Sequence, residues 1–249
     1  MADLSLDPAA RRVGKSLLAG ALELRSRGVK AVACLLVVFF ALLPFASDVF
    51  HVIAGPIMDA LPQGSSLISR QVASPFLTPL KATLWVALFL SMPLLLYHVW
   101  KLVDHWLPAD KRRIALPFIV ASAVLFYVGV AFAFFLVLPM AFGFFANAAP
   151  AGVKVMTDIT AFLDFTIGMS LAFGFAFQVP IAIIVIVWTG LVSRQTLAAG
   201  RAYVFLGAFV VGMVLTPPDV FSQTLLALPM YVLYEVALLV CWRFLPERK

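Results

Sequence analysis

Apolar residues in this chain come in long unbroken runs separated by short polar breaks, without the alternation of a half-buried strand. The runs cover residues 29–49, 82–103, 114–142, 165–190, 202–215 and 224–242. A hydrocarbon core about 30 Å thick takes about 20 residues of helix to cross, which matches every run except the fifth. In lipid the backbone must satisfy its own hydrogen bonds, so only helices or a closed barrel can span, and the missing period of two excludes the barrel. The pattern therefore predicts an all-α membrane protein with six transmembrane helices. The fifth span rises only about 21 Å over about 14 residues, so the bilayer must thin there or neighbouring protein must cover its ends.

Prolines recur inside the runs at Pro93, Pro117, Pro139, Pro180 and Pro229, which predicts kinks and a curved, cupped wall instead of a straight bundle. Residues 50–81 form a long connection with Pro56, Pro62, Pro75 and Pro79 and scattered apolar residues such as Ile53, Ile57 and Leu61. That mixture predicts an ordered outer cap with a short amphipathic helix. Residues 147–164 read as a second, more polar outer connection. No internal repeat is visible, so the whole chain 1–249 is expected to be one six-span domain, with about 20 residues of N-terminal tail.

Basic residues decide the orientation. Arg11, Arg12, Lys15, Arg25, Arg27, Lys30, Lys101, Lys111, Arg112, Arg113, Arg194, Arg201, Arg243, Arg248 and Lys249 all fall on one side of the six-span scheme. Only Arg70, Lys81 and Lys154 fall on the other, which places both termini in the cytoplasm. Composition agrees with a lipid-embedded chain: 63% of residues are hydrophobic, 12% are charged and mean hydropathy is +1.06, against about 25% charged in a soluble domain. The net charge of +6 comes from topology signals instead of a nucleic-acid stripe. Arg11-Arg12 precedes the first apolar run by too many charged residues to open a cleavable signal peptide, so the first span is read as a retained anchor. Cys34 and Cys241 lack ligand spacing and read as small buried hydrophobes.

Ionisable and amide groups within lipid are costly and therefore informative. Glu235 lies halfway through the last run, Gln178 within the fourth, and Asp219 follows the double proline of Thr216-Pro217-Pro218-Asp219. For Gln178 and Glu235 the structural reading is an interhelical hydrogen bond, and for Asp219 an N-cap on the sixth helix. The functional reading is a proton-coupled secondary transporter that uses the three along an internal polar path. Enzyme signatures fail: Gly168-Met169-Ser170-Leu171 lacks the second glycine of a rhomboid-type motif, and neither a zinc-protease helix nor a phosphate loop is present. His98 in the second span reads as a polar packing residue.

Several segments carry a family resemblance. These are Glu23-Leu24-Arg25-Ser26-Arg27, Val72-Ala73-Ser74-Pro75-Phe76 with Lys81, and Leu96-Tyr97-His98-Val99-Trp100. They continue in 207–213, in Thr216-Pro217-Pro218-Asp219-Val220-Phe221-Ser222-Gln223, and in Pro229 through Leu233-Tyr234-Glu235. Together they resemble the TatC family over nearly the whole chain. The resemblance implies a receptor subunit of the twin-arginine translocase in the bacterial inner membrane, without cofactor or catalytic site. Its implied partners are twin-arginine signal peptides, TatA- and TatB-type single-span proteins and further copies within a multimer, with transport driven by the proton motive force.

The family's signal-binding positions fall on Glu23 with Arg25 beside it, and on the loop of Asp110 and Lys111. Paired carboxylates match guanidinium geometry, which gives the acidic positions their chemical sense. The chain departs from the pattern at Lys111, where the family has glutamate, at Gly20 and Gly28, where it usually has histidine and leucine, and at Gln178, where glutamate is frequent. Asp110 or Asp104 is then the candidate for the missing negative charge, and a TatC-like scaffold with impaired signal recognition is the remaining alternative. By the same resemblance, Met213, Thr216 and Gln223 form a partner-helix contact at the outer ends of the fifth and sixth spans.

The charge pattern gives a direct topology test. Cysteines introduced at Gln63 or Ala151 should react with a membrane-impermeant maleimide added outside intact cells, and one at Ser193 should stay unlabelled; outside labelling of Ser193 would overturn the six-span scheme.

Overall fold

The computed structural model describes residues 8–58, 66–104, 115–147, 156–215 and 220–244. Five apolar helical stretches are long enough to cross a membrane, namely Arg25–Gly55, Ser74–Lys101, Leu116–Phe145, Ile159–Thr189 and Gln223–Phe244, and Arg201–Val214 is a shorter sixth. The first comprises α1 (Pro8–Leu42), a 3-10 turn (Leu43–Phe45) around Pro44, and α2 (Ala46–Met58). Helix therefore starts well before the apolar run, because Leu, Ala, Glu and Arg are strong helix formers whatever their polarity. After strand β1 (Ser66–Ile68) comes α3 (Ser74–Asp104), which also begins earlier than its apolar run.

Proline placement explains the interruptions of the middle helices. Helix α4 (Ala115–Phe132) widens into a π-helical turn (Ala133–Val137) before α5 (Leu138–Asn147), and Pro139 lies in that first turn of α5. Lacking an N–H and needing room for its ring, proline is most easily admitted behind such a bulge. After strand β2 (Met156–Asp158), α6 (Ile159–Ala176) stops at a turn through Phe177 and Gln178, and α7 (Val179–Thr189) restarts with Pro180 in its first turn. Gly190, at φ 82°, closes α7 in the left-handed conformation that glycine adopts without strain. Pro93 and Pro229 instead lie inside continuous helices, α3 and α10 (Val220–Phe244). The carbonyl that Pro93 leaves without a helical donor is that of Phe89, and it accepts the Tyr127 hydroxyl of α4 at 2.9 Å. A short α8 (Arg194–Ala199) and the 15-residue α9 (Arg201–Leu215) complete the chain.

Helices α1 and α2 pack on α3, α4 packs on α6, and α10 packs on both α7 and α9. The α4–α6 contact depends on missing side chains. A Cβ on Gly129 would lie 2.5 Å from the Phe173 carbonyl oxygen, and one on Gly174 would lie 2.6 Å from the Phe126 ring. Without a hydrophobic force between helices in lipid, such close approach supplies the dispersion that holds them together. Phe126, Phe162, Phe173, Leu138 and Leu163 are completely enclosed.

One end of the bundle is tied by two connections not foreseen from the runs. Strands β1 and β2 pair in parallel, Ser66 with Met156 through Ile68 with Asp158. Asp158 then caps α6, accepting from the Thr160 and Ala161 amides at 2.9 and 3.1 Å, and also from the Arg70 amide at 3.2 Å. These donors, the Ala161 amide foremost, hold its carboxyl below the usual aspartate range. Lys81 pairs with Asp164 beside it, and Thr160 links Ser74 and Thr78 at 3.1 and 3.3 Å.

The glycine contacts separate two otherwise similar substitutions. Gly129→Ala should destabilise by about 1–3 kcal/mol because backbone must move. Gly168→Ala, where a Cβ meets nothing within 4 Å, should be neutral or stabilising by up to about 1 kcal/mol. Thermal unfolding in one detergent checks the opposite signs.

Candidate functional site

Three polar groupings within the spans are available for function, and each begins with a side chain that lipid cannot solvate. The first joins α3, α4 and the break in the fourth span. Trp100 donates from Nε1 to Ser122 Oγ at 2.9 Å, and Gln178 donates from Nε2 to the Ser122 carbonyl at 2.8 Å. Gln178 stands at the turn before Pro180, where the helix is interrupted and its side chain can turn across to α4. Trp100 stacks on Phe118 at 5.6 Å, which in turn meets Trp188 at 6.1 Å, so an aromatic wall flanks the amide. Nearby in sequence, His98 Nδ1 is buried with no hydrogen-bond partner among the described residues.

The second grouping fixes the start of the short fifth span. Arg201 Nε and the Tyr231 hydroxyl both donate to Glu235 Oε1, at 2.8 and 2.7 Å. Tyr231 and Glu235 stand one turn apart on α10, so the hydroxyl reaches the carboxylate without distortion. Tyr234, on the same helix, donates to the Leu197 carbonyl at the end of α8. Arg194 stacks over Trp242 at 4.7 Å. The connection between the fourth and fifth spans is thus held against α10 at several points.

The third grouping lies at the opposite end of α9. Gln223 Nε2 donates to the Phe209 carbonyl at 2.9 Å, and Gly212 makes room for it, since a Cβ there would lie 3.1 Å from Gln223 Cγ. Met213 on α9 is 57% exposed and faces away from the bundle. Of the expected partner contact, then, Met213 is open and the Gln223 amide is engaged within the chain, while Thr216 lies outside the described residues. Asp219 lies outside them as well.

The expected recognition positions are less fully placed. Glu23 belongs to α1, but its side chain lies outside the described residues, as do Asp110 and Lys111. Asp104 ends α3 with its side chain also outside them. Arg25 is exposed on α1. Gln178 and Glu235 each have their own bonding partners and share none. Sequence reasoning missed Ser122, Arg201 and Tyr231 as those partners; Arg201 was taken only as a topology signal. The Tyr-x-x-x-Glu spacing on an apolar helix was the available clue to Tyr231. Among the described residues no cluster of His, Cys, Asp and Glu could hold a metal ion.

A family model described as "Sec-independent protein translocase protein (TatC)" matches residues 21–229. The "Sec-independent protein translocase protein TatC" of Escherichia coli strain K12 is 50% identical over 220 residues, 88% of this chain and 85% of that one. Its namesake from Haemophilus influenzae is 45% identical over 231 residues, 93% of this chain and 90% of that one. The solved "Crystal Structure of Twin Arginine Translocase Receptor- TatC" superposes with a TM-score of 0.80 at 30% identity, covering 89% of this chain and 97% of that one.

The Arg201–Glu235 pair is half exposed on the arginine and 29% exposed on the glutamate, between a surface and a buried ion pair. Its coupling should therefore be about 1 kcal/mol, above the surface median and below the cost of a stranded buried charge. A double-mutant cycle with Arg201→Gln and Glu235→Gln measures it by unfolding, and Tyr231→Phe should lower stability without abolishing that coupling.

Proposed function

The chain belongs to the TatC family of Sec-independent protein translocase proteins, and on that premise we propose that it is the receptor subunit that binds twin-arginine signal peptides. The observation that carries this reading is its likeness, at 30% identity across 89% of the chain, to a structure described as a twin-arginine translocase receptor. A multi-pass helical membrane protein of this family is a protein-transport component and not an enzyme. In the proposed arrangement it sits in the bacterial inner membrane with both termini in the cytoplasm, as the basic residues indicate.

Signal recognition is then an electrostatic event at the cytoplasmic ends of α1 and of the second and third spans. Glu23 supplies one carboxylate to the twin arginines, with Asp110 or Asp104 as the second, and the family resemblance assigns Arg25 and Lys111 to the same recognition. Lys111 opposes the incoming cations: like charges at about 4 Å repel by about 4 kcal/mol at an effective dielectric of 20 and by about 1 kcal/mol in water. Because the loop is at the membrane surface, the smaller figure is nearer the operating value. One good carboxylate–guanidinium pair, at about 1.5–3 kcal/mol, outweighs it.

Assembly with TatA- and TatB-type single-span helices is assigned to the exposed face of α9. The helix is short, Met213 faces outward and Thr216 follows at its end. Gln223 serves this contact indirectly, by fixing α10 against the α9 backbone, and becomes a direct contact only if a partner displaces the Phe209 carbonyl. The transporter alternative has no observation in its favour, since Gln178 and Glu235 are engaged with separate partners.

Precursor binding to the detergent-solubilised protein tests the receptor reading against a silent scaffold. Glu23→Ala should weaken binding about tenfold or more, and Lys111→Glu should strengthen it, with both effects shrinking at high salt because the Debye length is about 8 Å at physiological ionic strength. A parent protein that binds twin-arginine and twin-lysine precursors equally, with no preference gained on Lys111→Glu, leaves only the scaffold.

A further inference from the structure

Helix α9 is fastened to the bundle along a single seam. It packs chiefly on α10, with smaller contacts to α6 and α8. Among the described residues of α9, Ala208 and Gly212 are the buried ones, and with Arg201 they fall at the seven- and four-residue spacings of one helix stripe. A seam of small side chains lets two backbones approach but offers no bulky knob to fix rotation or register. Polar groups supply that restraint toward each end. At the start of α9, Arg201 Nε and the Tyr231 hydroxyl meet on Glu235 Oε1 at 2.8 and 2.7 Å, and the Tyr231 ring meets Phe205 edge-on at 5.3 Å. Further along, the Gln223 amide donates to the Phe209 carbonyl at 2.9 Å, with Gly212 close against Gln223. Leu206, Val210 and Met213, spaced four and three apart, form an exposed stripe on the side of the helix away from the seam.

We infer that Arg201, Glu235 and Tyr231 are positioning residues for partner docking: by fixing the rotation of α9 on α10 at one end, they set where the stripe of Leu206, Val210 and Met213 faces at the other. The inference rests on the assignment of α9 to a single-span partner helix. The Gln223 bond alone leaves α9 free to pivot about Phe209. The Arg201 contact, about two turns away and on the seam, removes that freedom. Tyr231 joins the two helices twice, since its ring braces Phe205 while its hydroxyl holds the carboxylate that Arg201 binds. A helix of 15 residues is stiff enough to carry a rotation at Arg201 through to Met213. Turning a helix about 10 Å across by about 30° moves its surface by about 2.5 Å, nearly the length of a hydrogen bond. A contact that only added stability would leave the direction of the exposed stripe unchanged when it was removed.

The test has one arm without a partner and one with it, both on the full chain in lipid. In the first, nitroxide labels on Val210→Cys and Leu228→Cys report the α9–α10 distance, with Cys34 and Cys241 replaced by alanine. The parent should give one narrow distribution. Arg201→Gln and Glu235→Gln should shift or broaden it by about 3 Å, and Arg201→Lys, which keeps a cationic donor, should restore it. In the second arm, a photoreactive phenylalanine in place of Leu206, Val210, Met213 or Val214 is irradiated in the presence of a TatB-type single-span protein. Arg201→Gln should lower the yield from Met213 about threefold and raise that from Val214, the size expected for one membrane hydrogen bond. Arg243→Gln removes an equal charge from the end of α10 and should leave the profile as in the parent. Unchanged distances in Arg201→Gln and Glu235→Gln overturn the positioning role, as does an unchanged crosslinking profile or an equal change in Arg243→Gln. Thermal unfolding shows which variants are folded; if Arg201→Gln is not, Tyr231→Phe, which keeps the ring on Phe205, decides both arms. A parent that crosslinks from none of the four positions defeats the partner assignment and the inference with it, while the partner-free distances show whether the clamp itself stands.

Discussion

Lipid offers the backbone nothing to bond with, and the arrangement of polar side chains in this bundle follows from that constraint. Among the described residues, four of them donate to main-chain carbonyls of another element: Tyr127 to Phe89, Gln178 to Ser122, Gln223 to Phe209 and Tyr234 to Leu197. At Phe89 the reason is explicit, since Pro93 removes the helical donor that this carbonyl would otherwise have. Elsewhere a second lone pair on an already bonded carbonyl serves. Each such bond contributes on average about 0.6 kcal/mol in membrane proteins, so together they select register more than they drive association. The alternative, an amide or hydroxyl facing hydrocarbon, costs several times as much, which makes the register strongly specified.

Dispersion supplies what hydrogen bonding does not. The α4–α6 contact brings the Gly129 backbone against Phe173 and sets Gly174 beneath the Phe126 ring, so large aromatic side chains fill the volume that glycine leaves. The interlocked rings of Phe132, Phe173 and Phe177, at 5.3 and 5.7 Å, extend the same contact along the helix. The two kinds of interaction depend on one another. Gln178 can reach Ser122 only because α4 and the α6–α7 break are already close, and the bond then prevents sliding between them.

Hydropathy made the order of the apolar helices legible, but not their ends. Helix α1 extends through polar residues that favour helix and disfavour lipid, and α3 starts at Ser74 with Pro75 in its first turn, so the apolar run and the helix have different boundaries. The roles of Pro139 and Pro180 were legible as interruptions; the continuity of α3 through Pro93 was not, because it depends on Tyr127, 38 residues away. The parallel pairing of β1 and β2 could not be seen, since three-residue strands have no measurable periodicity and their partners are far apart in sequence. Glu235 and Gln178 stood out as polar groups in lipid, and the local spacing pointed to Tyr231, yet their partners Arg201 and Ser122 lie 34 and 56 residues away and no local pattern announces them. The positions assigned to signal recognition came from family resemblance alone, because single charged residues outside the apolar runs carry no periodic signal.

That difference in legibility has a physical origin that also bears on how the chain can diverge. Contacts inside the bundle lie in a medium of low dielectric, where one lost partner strands a polar group and is felt throughout the helix pair. Charges at a membrane surface interact through water and salt, so changing one of them alters a contact by about 1 kcal/mol while leaving the helix packing unaffected. A bundle of this construction can therefore retain its scaffold while charges outside it change one at a time.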